Sequence, residues 1–185
     1  MRENPAIRPA LAEHIRLYGL RTDGQFTLRS GEVTSWYLDA RQTTFDGEGA
    51  GLVGRCVAEL LAPEVVAVGG MTMGADPMAV ATALVASEAG RPLRAFSIRK
   101  QAKDHGMGGR LVGPVRPGDR VAILEDTTTT GGALDEAIEV AVDFGLSVVQ
   151  AIALVDRSGG RVTAALAARG IPYRGIFFPE DLGVP

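Results

Sequence analysis

A chain of 185 residues, 46% hydrophobic and 22% charged, has the size and composition of one globular domain (1–185), which excludes a disordered or fibrous protein. Its net charge of -3 gives no general attraction to nucleic acid, so any anion site must be local. A single cysteine rules out an intrachain disulfide, and no apolar run approaches the roughly 18 residues that span a bilayer. With no basic-then-apolar signal at the start, a cytoplasmic protein is expected.

Ile7, Leu11, His14, Ile15 and Tyr18 recur at helical spacing, and Gly19 is placed to stop that helix. Short extended runs follow at Phe26–Leu28 and Trp36–Asp39, separated by the turn-like Arg29-Ser30-Gly31. Leu52–Leu61 reads as a helix that Pro63 ends, with Cys56 as a small core residue on it. Apolar runs of strand length come next at Val65–Val68, Leu93–Ile98, Val121–Leu124 and Val148–Val155. Helical patterns at Met78–Glu88 and Ala133–Phe144 lie between them. Strands apolar throughout and alternating with helices predict an α/β fold, a mostly parallel central sheet flanked by helices. Ligands in such sheets sit beyond the carboxyl ends of the strands, so the loops at 69–76, 99–110, 125–132 and 156–160 are the places to look.

The most informative of these follows Val121–Leu124. Two adjacent acids, Glu125 and Asp126, close the apolar run, and Thr127, Thr128, Thr129, Thr130, Gly131 and Gly132 lead into the helix that starts at Ala133. Free backbone N–H groups and the positive end of a helix dipole suit a phosphate there. The carboxylates repel a phosphate but accept hydrogen bonds from sugar hydroxyls, so a sugar phosphate satisfies both halves. Taken alone, the turn could also be a tight connection with glycines chosen for their dihedrals. Two acids at a buried strand end are costly unless something uses them, which favours the functional reading. The absence of lysine from the turn disfavours a Walker P-loop.

Residues 99–110 carry five basic groups, counting His105, against one acid, Asp104. An arbitrary run of this kind is usually a solvated loop, but one that leaves the carboxyl end of a central strand is where lids over anionic substrates are found. Gly49-Ala50-Gly51-Leu52-Val53-Gly54 fits the dinucleotide pattern only in its letters. Polar residues 41–48 precede it instead of a buried strand, so it reads as a helix N-terminus. In the turn 69–76, Asp76 is placed as an N-cap before Pro77.

The stretch 120–136 resembles the phosphoribosyl pyrophosphate signature of the type I phosphoribosyltransferases. Arg99-Lys100-Gln101-Ala102-Lys103-Asp104-His105-Gly106 resembles the mobile catalytic loop of orotate phosphoribosyltransferases, and the likeness runs from Phe26 to Arg157. It implies a type I phosphoribosyltransferase fold with a small N-terminal hood (1–45). It also implies transfer of ribose 5-phosphate from phosphoribosyl pyrophosphate to orotate, giving orotidine 5'-monophosphate in pyrimidine biosynthesis. By the same resemblance Lys103, His105 and Asp126 are catalytic. Arg99, Lys100, Lys103 and His105, the acids Glu125 and Asp126, and Thr127 through Ala133 hold phosphoribosyl pyrophosphate. Arg29, Thr129 and Arg157 bind orotate, with the Trp36-Tyr37 region closing around the ring; Arg157 could instead pair with Asp156 or another acid. Magnesium (Mg2+) is implied as cofactor, held mostly by the ligand, and no residue is assigned as its ligand. A homodimer is implied in which loop 99–110 covers the neighbouring site, with no nucleic-acid or membrane partner. Many relatives carry a basic residue near the position of Met73, and Arg29 stands where lysine is common. Another base, or a regulator that senses the ligand without catalysis, are the competing readings; Lys103, His105 and Arg157 favour the orotate enzyme.

Overall fold

The computed structural model describes residues 5–27, 33–101 and 109–185. Helix α1 (Ile7–His14) buries Ile7, Leu11 and His14, then widens into a π-helical turn over Ile15–Gly19 before the chain extends at Leu20. Gly19 thus ends the helix as its sequence suggested, whereas Tyr18 faces solvent. Four two-residue strands follow: β1 (Leu20–Arg21), β2 (Phe26–Thr27), β3 (Val33–Thr34) and β4 (Tyr37–Leu38). They pair antiparallel, β1 with β4 and β2 with β3, and form a small N-terminal layer. The expected turn at Arg29-Ser30-Gly31 lies outside the described residues.

Helix α2 (Arg41–Thr44) leads into α3 (Gly47–Leu60), whose start is set by Asp46: its Oδ1 accepts the N–H groups of Glu48 and Gly49 at 2.9 Å. The helix begins earlier than the expected Leu52 because this cap, and not the first bulky apolar residue, nucleates it. The Gly49 to Gly54 run is accordingly its N-terminal half. A Cβ on Gly54 would lie 2.6 Å from the Ala81 carbonyl oxygen, so glycine there lets α3 approach α4 (Ala75–Glu88) backbone to backbone. Cys56 is buried as expected, and burial pushes its thiol up to about 11, which makes it inert.

Six strands form the central sheet in the order β10-β9-β8-β5-β6-β7. These are β5 (Ala67–Met71), β6 (Arg94–Ile98), β7 (Leu111–Val112), β8 (Arg120–Thr128), β9 (Ser147–Asp156) and β10 (Tyr173–Phe177). All neighbours are parallel except β6 and β7. The helices α3 and α4 cover one face. The helices α5 (Gly132–Asp143) and α6 (Arg161–Ala168) cover the other, and each face has its own apolar cluster. The predicted α/β sheet is therefore present, with α6, β7 and β10 added.

Three boundaries differ from the sequence reading for identifiable reasons. Strand β5 runs on through Gly69 and Gly70 to Met71, because a side chain at either glycine would strike a neighbouring strand's backbone, Phe96 or Leu124. Asp76 is not the N-cap of α4. The cap is Gly74, and Asp76 lies within the first turn, where its Oδ2 accepts the Thr72 hydroxyl at 2.6 Å. Finally β8 does not stop before the acids but continues through Glu125 and Asp126 to Thr128, held by pairing of Glu125 with Ala153 and Thr128 with Asp156.

Candidate active site

Because β5, β6 and β8 are adjacent and parallel, the segments leaving their carboxyl ends converge on one cavity of ≈ 470 Å³. Its lining includes Thr72, Met73 and Gly74 after β5, Lys100 after β6, and Glu125, Asp126 and Thr127 of β8. Ala133 and Glu136 on α5 complete one wall, and Tyr37 to Arg41 come over from the N-terminal layer. A larger cavity of ≈ 940 Å³ between α1, α3 and β10 is a weaker candidate. Two of its three arginines are occupied, Arg8 by Asp181 at 3.1 Å and Arg16 by Glu13 at 3.2 Å.

The extension of β8 has an electrostatic result. Glu125 is 6% exposed and its Oε2 has no hydrogen-bond partner among the described residues. Burial first, and the neighbouring Asp126 second, push its carboxyl up to about 8. Asp126 is more open and reaches toward the turn after β5: a Cβ on Gly74 would come within 2.6 Å of its Oδ1. An acid pair with one member reluctant to ionise is ready to accept sugar hydroxyls, or to lose its proton when a cation arrives.

The turn beyond the acids is shorter than its sequence suggests. Thr128 is buried in the strand, Thr129 and Thr130 are exposed, and Gly131 is the N-cap of α5 with φ at 89°. A left-handed residue at that point is what allows a strand to enter a helix this abruptly, and glycine adopts it without steric cost. Gly132 and Ala133, at the start of α5, are exposed, and the Gly132 N–H donates to the Thr130 hydroxyl at 3.4 Å. The carbonyl of Thr128 accepts the Arg157 N–H at 2.8 Å, and that of Thr129 accepts Arg161 Nη2 at 3.3 Å, so the loops after β8 and β9 are tied together.

Arg157 follows β9, with its guanidinium carbon 4.0 Å from the centre of the Trp36 ring. The adjacent Asp156 is 1% exposed; its Oδ1 accepts the Ser158 N–H at 2.7 Å and its Oδ2 has no partner among the described residues. On β10 burial, and then Asp156, push the Tyr173 hydroxyl up.

At the base of loop 99–110, Arg99 N–H donates to the Arg110 carbonyl at 2.8 Å, and Arg110 Nε donates to the Arg99 carbonyl at 2.7 Å. The Arg110 guanidinium then pairs with Glu136 on α5. These bonds clamp both ends of the loop beside the cavity. Arg99 is half-buried at the stem, and Lys100 is exposed and reaches the lining.

Of the residues singled out in the sequence, the structure brings Lys100, Glu125, Asp126, Thr127 and Ala133 to one cavity. Thr128 ends β8, Thr129 to Gly131 form the adjoining turn, Gly132 opens α5, and Arg157 stands beside Trp36. Lys103, His105 and Arg29 lie outside the described residues. Sequence reasoning missed Asp39, Arg41 and Glu136. The first two carried only a weak signal, a close acid–arginine pair after an extended run, and Glu136 looked like any polar residue on a helix.

No protein-family model matches the chain. It is 42% identical over 179 residues to the orotate phosphoribosyltransferase of Streptomyces avermitilis, covering 96% of this chain and 98% of the relative. Among solved structures, Mycobacterium tuberculosis orotate phosphoribosyltransferase in complex with Fe(III) dicitrate has a TM-score of 0.86 at 38% identity, covering 96% of this chain and 99% of that one. In complex with 5-phospho-alpha-D-ribosyl 1-diphosphate, the same enzyme gives a TM-score of 0.80 at 35% identity, covering 96% of this chain and 99% of that one. The sheet and its flanking helices are thus a type I phosphoribosyltransferase fold. At this identity over almost the full length of both proteins, the chain belongs to the orotate phosphoribosyltransferase family.

Proposed function

We propose that the cavity at the carboxyl edge of the sheet is where this chain carries out its family's reaction. Ribose 5-phosphate passes from phosphoribosyl pyrophosphate to N1 of orotate, and pyrophosphate leaves. The observation that carries the assignment is the sharing of one cavity by Lys100, the Glu125–Asp126 pair and the start of α5.

Breaking the anomeric C–O bond sends its electron pair to the diphosphate oxygen and leaves positive charge on the ribose ring, which N1 of orotate then attacks. Glu125 and Asp126 accept the ribose hydroxyls, and Asp126 lies close to the developing positive charge. The N–H groups and hydroxyls of Thr127 to Ala133 hold the 5'-phosphate at the N-terminus of α5. Arg99, Lys100, Lys103 and His105 supply positive charge to the departing diphosphate, and closure of their loop excludes water from the anomeric carbon. Arg157, with Arg29 and Thr129, takes the carboxylated pyrimidine, the arginine fork matching a carboxylate.

Among the described residues no group of three or more His, Cys, Asp and Glu could hold a metal ion. Two adjacent acids beside a diphosphate site fit Mg2+, which keeps several waters and is bound through one or two carboxylates plus substrate phosphates. Glu125 and Asp126 would hold it, and when bound it supplies charge neutralisation of the leaving diphosphate.

A homodimer is the assembly we favour, with loop 99–110 reaching the neighbouring site. Helix α4 is apolar on its outer side as well, with Val80 62% and Leu84 59% exposed, which suits a second copy of the chain. The N-terminal layer (1–45) acts as a hood over the base. No helix among the described residues is long and apolar enough to cross a membrane. Phosphorylated substrates suit a cytoplasmic enzyme with no need of a membrane or nucleic-acid partner. Magnesium-dependent loss of orotate in the presence of phosphoribosyl pyrophosphate tests the assignment; purified protein that binds phosphoribosyl pyrophosphate without consuming orotate would refute it.

A further inference from the structure

We propose that Arg41 binds the diphosphate of phosphoribosyl pyrophosphate, with Asp39 as the positioning residue that aims it; this rests on the function proposed above. The charge balance of the cavity motivates it. Among its described lining residues stand four acids, Asp39, Glu125, Asp126 and Glu136, the last of them paired with Arg110, against two cations, Arg41 and Lys100. A substrate carrying a phosphate and a diphosphate cannot settle on such a wall without cations placed to meet it. The Thr72-Met73-Gly74 turn on the same cavity offers no charge, and Met73 is 58% exposed.

Arg41 opens α2, directly after the hood strand β4. Its Nε donates to Asp39 Oδ1 at 2.7 Å, and its backbone N–H donates to the same oxygen at 3.2 Å. Gln42 Nε2 holds the other oxygen, Oδ2, at 3.3 Å. One carboxylate therefore fixes both the main chain and the inner edge of the guanidinium. The two terminal nitrogens have no acceptor among the described residues. Asp126 lies near enough to help keep the guanidinium charged, after the larger effect of Asp39. Since the Arg41 side chain is 49% exposed, a ligand reaches it without displacing a buried partner. An ion pair this open contributes little to stability, so its place on the cavity wall is better explained by binding. Diphosphate oxygens match the arginine fork, and a terminal pair of N–H donors held from behind is pre-organised for them.

The test uses the full chain and its Arg41→Ala, Arg41→Lys and Asp39→Asn variants. Turnover is measured against phosphoribosyl pyrophosphate and against orotate, and calorimetry follows binding of inorganic pyrophosphate with magnesium. Arg41→Ala should raise the KM for phosphoribosyl pyrophosphate and weaken pyrophosphate binding by about tenfold or more, with the KM for orotate little changed. Arg41→Lys should recover part of the loss, and Asp39→Asn should fall between wild type and Arg41→Ala. Wild-type pyrophosphate affinity in a folded Arg41→Ala variant overturns the proposal, as does a change confined to orotate. Weakened pyrophosphate binding in Arg41→Ala supports the site even if wild type consumes no orotate, an outcome that would sink the functional assignment alone.

Discussion

Arg157 lies over the ring of Trp36, guanidinium carbon to ring centre 4.0 Å, and this contact joins the loop after β9 to the residue just before the hood strand β4. Trp36 is buried, so its ring is a fixed surface, and stacking on it limits the directions the arginine fork can take. In the proposed function this contact puts the base site between the sheet and the hood.

Arg157→Ala should therefore weaken orotate binding by roughly 1.5–3 kcal/mol, the range of a charge-assisted hydrogen bond, while leaving the KM for phosphoribosyl pyrophosphate near wild type. Titration calorimetry with orotate measures this directly. Unchanged orotate affinity would remove Arg157 from the base site.

Glu125 should make the unliganded protein less stable as the pH rises. Its carboxyl is held up to about 8 in the folded chain against an ordinary value of 4.5. Between those values the folded state binds more protons than the unfolded state, so the stability of the protonated form is full below the ordinary value and is lost through about pH 8. Glu125→Gln removes the ionisation. Its melting temperature should gain on wild type between pH 5 and pH 8.5, while its affinity for phosphoribosyl pyrophosphate falls. A melting-temperature difference independent of pH would mean that the carboxyl is already ionised at the lower end.

Lys103→Ala should lower turnover by about a hundredfold with little change in orotate binding, because in the proposed function the lysine acts on charge that develops as the diphosphate leaves. Single-turnover kinetics and equilibrium binding separate the two effects. A loss seen only in binding would rule out a role for the loop in the chemical step.

Gly54→Ala should destabilise the fold despite alanine's better helix propensity. The propensity gain is about 1 kcal/mol, but the new methyl meets the backbone of α4 at Ala81, 2.6 Å from its oxygen, and overpacking of this kind costs about 1–3 kcal/mol. A thermal melt with no loss, or with a gain, would show that α3 and α4 can separate freely.

Much of this molecule was legible from local order in the chain. Uninterrupted apolar runs alternating with helical patterns can bury both faces only in a parallel sheet. The succession of strand, acids, hydroxyl-rich turn and helix points to a sugar-phosphate site, and the basic loop with its lysines and histidine points to the family. Each of these signals is carried by neighbours in sequence, so no knowledge of distant contacts is needed to read it.

Other features depended on pairing across space. The strand order β10-β9-β8-β5-β6-β7 is what brings Lys100 to the acids of β8. The glycines of β5 are strand residues because Phe96 and Leu124 press on them from either side. Glu125 acquires its raised proton affinity only when β8 continues past Leu124 between two neighbours. Arg41 and Glu136 carry little or no marker of function in sequence, because the cavity that gives them one is assembled from segments far apart in the chain.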